Sequence, residues 1–264
     1  MKNLYFLLLL LPANLLSQSF TSKQCTAIVD EGVLIYKLET ANTFVSELMA
    51  EHFPSAPISG TLCYQNKKEI TGIVWVEVGT KIIVSYTYHF PDPLLKENAQ
   101  VENVERNATS TELQLIKAYQ VTNQLLFHDD FFSAYNNINF TMDFLPTENQ
   151  TRVILLSNTS IASTIIVGND YEVSIGLNGE VLKKIKLHAL NIMMDPDAII
   201  DSGKKTVTLK AADGDADEMT SSLIATLLLN RSKFTWNEFD YASKKYLSTF
   251  NIDTQQLNIT DVKQ

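Results

Sequence analysis

Histidine, glycine and cysteine are scarce in this chain of 264 residues, and each scarcity closes off a class of chemistry. The four histidines, His52, His89, His128 and His188, stand singly, so no H-x-H, H-E-x-x-H or other i, i+4 pair seeds a metal site. The nine glycines form neither G-x-G-x-x-G nor G-x-x-x-x-G-K, so no loop is shaped to cradle a phosphate. No G-x-S-x-G elbow presents a serine nucleophile. Positive charge is short as well: 21 Lys and Arg against 30 Asp and Glu leave a net charge of −9. That balance repels a polyphosphate backbone, which argues against nucleic acid as a partner. Long apolar runs are missing too, and nothing reaches the ~18 uninterrupted apolar residues of a membrane-spanning helix.

The two cysteines, Cys25 and Cys63, leave two readings open. In an oxidising compartment they could pair, which the chain-entropy view values at about 4 kcal/mol for a loop of this length. They could equally stay as buried thiols, because a chain of this size needs no staple.

What is present starts with a leader. Lys2 gives a positive start, Leu4 to Leu11 an apolar stretch, and Pro12, Ala13 and Ser17 a small-residue exit, which together read as a signal peptide over residues 1–17. The expectation is an exported protein, periplasmic or secreted, from a bacterium, with Gln18 first after cleavage. No cysteine follows the apolar stretch, so no lipoprotein anchor is expected. With 45% hydrophobic and 19% charged residues, the remainder can bury a real core.

Periodicity divides that remainder into residues 18–108 and 109–264. In the first part, Glu39 to Phe53 predicts a helix of three turns with Thr40 as N-cap. Runs at Thr61 to Gln65, Ile70 to Val78 and Lys81 to Tyr88 predict an antiparallel meander. Pro91 to Ala108 reads as a loop. The second part opens on a capping box, Thr109 with Glu112, and a helix continuing toward Tyr135. Alternation in NINFTMDFLP predicts a strand, and Asn178-Gly179 is the strongest hairpin signal. A helix from Asp217 to about Leu229 and three closing strands follow. Strands and helices come in blocks without β-α-β alternation, so the class is α+β: antiparallel sheets with about three helices, the N- and C-terminal halves packed together.

Asp213, Asp215 and Asp217 are the candidate metal ligands, since they fall at alternate positions like the first three ligands of an EF-hand loop. Gly214 comes too early for that loop, however, and its twelfth position holds Ile224 where a bidentate Glu is needed. The competing reading makes Asp215 the N-cap of the next helix, with Glu218 at N3 and the carboxylates complementing its dipole.

From about Ile35 to Ile259, with GNDYEVSIGLNGEVLKKIKLH and TSSLIATLLLN as its most diagnostic pieces, the chain resembles a group of uncharacterised exported bacterial proteins. Within LKAADGDADEMTSSLIATLLL the pattern is similar to the JAMM-type (JAB/MPN) metalloprotease signature, in which two His and one Asp bind zinc. The resemblance puts those ligands at Leu209, Ala211 and Leu223, none of which donates to a metal. It therefore implies a degenerate scaffold that has lost its site and needs no cofactor. The expected role is a non-catalytic binding or interaction protein, its partner another envelope or secreted protein. The alternative is a secreted, peptidase-like hydrolase using carboxylates or a metal near Asp213 to Asp217.

Overall fold

The computed structural model describes residues 20–133, 135–161, 164–195 and 206–262. The signal peptide expected over 1–17 lies outside them. Three α-helices and three sheets make up these residues: α1 (Ser22–His52), α2 (Ser110–His128) and α3 (Ser221–Leu229). The class is α+β, as read. None of these helices is long and apolar enough to cross a membrane.

Helix α1 is much longer than its sequence suggested. It starts at a capping box in which the Thr21 side chain accepts from the Gln24 backbone and Gln24 reaches back to Thr21. Thr40, expected as the N-cap, is mid-helix and donates its hydroxyl to Tyr36 O at 2.7 Å. The buried residues Cys25, Val29, Ile35, Leu38, Ala41, Val45 and Met49 do not keep to one narrow stripe, because α1 is covered on more than one side.

The first sheet has the order β1 (Gly60–Asn66), β2 (Glu69–Val78), β3 (Lys81–Phe90), β4 (Gln100–Glu102), with β5 (Arg106–Asn107) also on β3. The meander was legible. The Pro91 to Ala108 segment is not all loop, since β4 and β5 both pair with β3. The second sheet is an antiparallel meander of β6 (Ile138–Pro146), β7 (Gln150–Thr159), β8 (Ile165–Gly176) and β9 (Val181–Met194). Gly179, at φ +87°, supplies the left-handed turn between β8 and β9, where the Gly176 N–H donates to Glu180 O at 2.9 Å. Helix α2 keeps its predicted capping box but stops at His128, short of Tyr135.

The third sheet corrects the sequence reading. β10 (Thr206–Lys210) runs parallel to β11 (Glu238–Ala242), with α3 as the crossover, so one β-α-β unit does occur. β12 (Tyr246–Asn251) and β13 (Gln256–Asp261) complete it in antiparallel order.

Strand alternation sorts the side chains into layers. Val153 and Leu155 of β7 join Leu62, Trp75 and α2, while Ile154 and Leu156 join Cys63, Val74 and α1. Both faces of the first two sheets are therefore covered, and the cores cross the boundary at residue 108. On the far side of α1 and α3, Val29, Leu223 and Leu227 share a cluster with Phe239, Tyr241 and Phe250 of the third sheet. Arg152 of β7 fixes this arrangement electrostatically. It bonds Glu31 of α1 at 2.6 Å and Glu172 of β8 at 2.7 Å, and Ser221 at the head of α3 donates to Glu31 at 2.7 Å.

Candidate functional site

The three aspartates between β10 and α3 do not converge. Asp213 accepts from Lys244 at 2.7 Å on the open surface, and Asp217 accepts from Lys245 at 2.5 Å. Asp215 turns the other way, accepting the Ala189 N–H on Oδ1 at 2.6 Å and the Ala212 N–H on Oδ2 at 2.8 Å. The Lys244 ammonium also holds the Asp213 carboxyl below its usual range. Each carboxylate thus has its own partner. Among the described residues no three His, Cys, Asp or Glu side chains are placed to hold an ion.

The cap assignment changes too. Thr220, not Asp215, is the N-cap, and its hydroxyl accepts the Leu223 N–H at 3.2 Å. Asp215 is committed to two backbone amides, Ala189 of β9 and Ala212 of the loop, and the helix starts only at Ser221. Leu209 and Ala211, the positions matched to lost zinc ligands, pack against the apolar cluster that contains Leu223.

His188, read as a lone histidine, has partners that were missed. Its Nδ1 lies 2.7 Å from Asp170 Oδ1, and the Ser222 hydroxyl donates to the other Asp170 oxygen. Acid, histidine and serine are all present, but in the wrong order for nucleophilic catalysis. A serine nucleophile needs the imidazole between itself and the acid. Here the acid stands in the middle, and all three residues are buried. Burial alone would push the His188 pKa down, but the charge and hydrogen bond of Asp170, with Asp215 beyond, raise it. The set ties β8 and β9 to the head of α3.

The most strongly perturbed acids are a different pair. Glu39 projects from the middle of α1 toward the seam where β1 meets β6, and Asp143 of β6 and Cys63 of β1 lie on the same α1-facing side. Glu39 is 8% exposed and Asp143 2%. Neither Glu39 Oε2 nor Asp143 Oδ2 has a hydrogen-bond partner. Burial pushes the Glu39 pKa up to about 7, against a hydrogen bond from Thr141. Asp143 is driven well up by burial and then by the charge of Glu39. Cys63 rises for the same reasons, burial first and the two carboxyls after it. Two acids this close in a buried seam cannot both ionise cheaply, so the pair retains a proton near neutral pH.

The seam opens into a cavity of about 240 Å³ lined by Glu39, Thr43, Thr141, Ser157, Thr226 and Lys233, with Leu156 and Leu229 as apolar wall. A larger cleft of about 870 Å³ lies between the first turns of α1 and the β12–β13 hairpin. Its lining includes Cys25, Asp30, Glu238, Asn251 and Asn258, none of which carries a buried atom lacking a partner. Size favours the cleft, but unsatisfied chemistry favours the cavity. A perturbed acid lining an opening, here Glu39, is the stronger mark of a site. Sequence reasoning passed over Glu39 because it sits inside a helix, and over Asp143 because it alternates within a strand. No family model, curated protein or solved structure matches the chain.

Proposed function

We propose that this chain is an exported binding protein that holds a small polar ligand in the cavity beneath Glu39. One observation carries the reading: Glu39, nearly buried and with a carboxyl oxygen that lacks a partner, lines an opening rimmed by hydroxyls, and the partnerless Asp143 stands next to it. Buried acceptors left without donors cost about 1–3 kcal/mol each, so a ligand that supplies donors recovers what the fold leaves unmet. Export rests on residues 1–17. A degenerate metalloprotease scaffold remains part of the proposal, supported by the Thr220 cap and by the apolar cluster around Leu209, Ala211 and Leu223.

A thermal-shift screen of small polar molecules tests the ligand site, run on the parent protein and on Thr226→Leu, which fills the cavity from α3. Stabilisation of the parent by a molecule that leaves Thr226→Leu unmoved is the expected result. Equal shifts in both proteins would overturn the reading.

A second reading is a hydrolase, and the raised Glu39 pKa favours it, since an acid titrating near neutrality suits general acid work. It relocates the chemistry from Asp213–Asp217 to Glu39 and Asp143. Turnover of a chromogenic ester or glycoside, abolished in Glu39→Gln, would select it over simple binding.

A further inference from the structure

The cavity beneath Glu39 has a charge at each end. Glu39 is nearly buried and Lys233 is exposed, so the acid lies at the inner end and the ammonium at the mouth. Lys233 is fixed there by donating to Thr164 O at 3.0 Å. Hydroxyls and carboxamides occupy the stretch between them. Other charged or titratable groups facing Glu39 are Asp143 from β6 and Cys63 from β1. From β7, from α3 and from Asn230, which caps α3, come uncharged groups: Ser157, Asn158, Thr226 and the Asn230 carboxamide.

We propose that this cavity binds a small zwitterion of the free α-amino acid class, its ammonium on Glu39 and its carboxylate on Lys233. The proposal rests on the cavity being a ligand site at all. An ammonium brings three donors and no acceptor, which is what the partnerless Glu39 carboxyl requires. A neutral polyol would bring acceptors with its donors and leave the carboxylate charge uncompensated. A simple anion is opposed by Glu39, Asp143 and the net charge of −9. A simple cation would leave Lys233 unused. The size agrees, because about 240 Å³ falls below the roughly 300–1,000 Å³ of sites for drug-sized molecules. Leu156 and Leu229 offer an apolar wall to the ligand's side chain.

The carboxyl pair adds a signature. Below neutral pH it holds a proton that must leave as the ammonium arrives, so binding releases that proton to the buffer. Affinity then rises with pH by up to about tenfold per unit until Glu39 is ionised.

Titration calorimetry of the purified protein tests this. The probes are L-alanine, L-leucine, propylamine, propionate and D-glucose, each at pH 6 and pH 8 in two buffers of different ionisation enthalpy. The amino acids should bind, more tightly at pH 8, releasing a measurable fraction of a proton at pH 6. Glu39→Gln should lose at least tenfold in affinity and all of the proton release. Lys233→Met should weaken the amino acids but leave propylamine unchanged. If D-glucose binds in a Glu39-dependent way and the amino acids do not, the zwitterion assignment is overturned while the cavity stands as a site. If no probe binds and the thermal-shift screen also finds nothing sensitive to Thr226→Leu, both readings fall.

Discussion

Gly32 of α1 lies directly against Ile224 of α3: a β-carbon added at Gly32 would stand 2.7 Å from Ile224 Cγ2 and 2.9 Å from Ser221 O. The contact explains a glycine inside a helix, where it costs roughly 1 kcal/mol against alanine in propensity alone. Gly32→Ala should therefore destabilise, despite its better helix propensity, by about 1–3 kcal/mol through overpacking. Urea denaturation would show it, and a gain in stability would mean the helices are not this close.

Stability should fall as pH rises through neutrality. Glu39 has a folded pKa pushed up to about 7 from an ordinary 4.5, so the folded state binds its proton more tightly than the unfolded chain does. Its contribution is complete below about 4.5 and lost as pH climbs through about 7. The raised His188 adds the same sign, with its share present below about 6.5 and lost above. Glu39→Gln should flatten the profile and leave the protein more stable than its parent at pH 8, by on the order of 2–3 kcal/mol. Denaturation midpoints measured from pH 5 to pH 8 check this, and identical slopes in the two proteins would refute it.

The loop before α3 gives a graded series. Thr220→Ala removes the helix cap and should cost about 1 kcal/mol. Asp215→Ala strips two amides of their acceptor and should cost more, on the order of 2–4 kcal/mol. Asp213→Ala breaks a fully exposed ion pair and should leave the denaturation midpoint essentially unchanged. Were Asp213 the most costly of the three, a shared role for the aspartates would return.

Both cysteines are free and buried. Protein unfolded without reductant should take up two alkyl groups, and mass spectrometry should find no difference between native and reduced chains. Folded Cys63 should react very slowly near neutral pH, because burial and then the Asp143 and Glu39 charges hold its thiol protonated. Rapid labelling of Cys63 in the folded protein would contradict this burial.

Legibility in the sequence followed burial. Strands with one polar face announced themselves by alternation, and the box at Thr109 and Glu112 marked α2 without ambiguity. Helix α1 was half missed because it packs among several partners, so residues such as Val29, Gly32, Ile35 and Leu38 offer no single stripe. The parallel pair of β10 and β11 is a tertiary choice, made where a five-residue strand meets its neighbour through α3. Asp170 and His188 were readable in principle: a turn at Asn178-Gly179 places them nearly opposite, and a bulge brings them into register. Glu39 and Asp143 had no such signal, since only the packing of α1 across the β1–β6 seam brings them together.

The position of α1 also bears on how the chain is made. Val29 shares its cluster with Phe250 and Ile252, and α1 touches β13, so the first helix leans on strands synthesised last. While the ribosome still holds those strands, Ile28, Val29 and Val33 lack the third-sheet part of their cluster. The layers of the first two sheets with α2 draw only on residues 62 to 175 and can close early. A nascent chain cut off before residue 230 would therefore carry a folded middle and a first helix left apolar and bare on its third-sheet side, the condition that holding chaperones recognise.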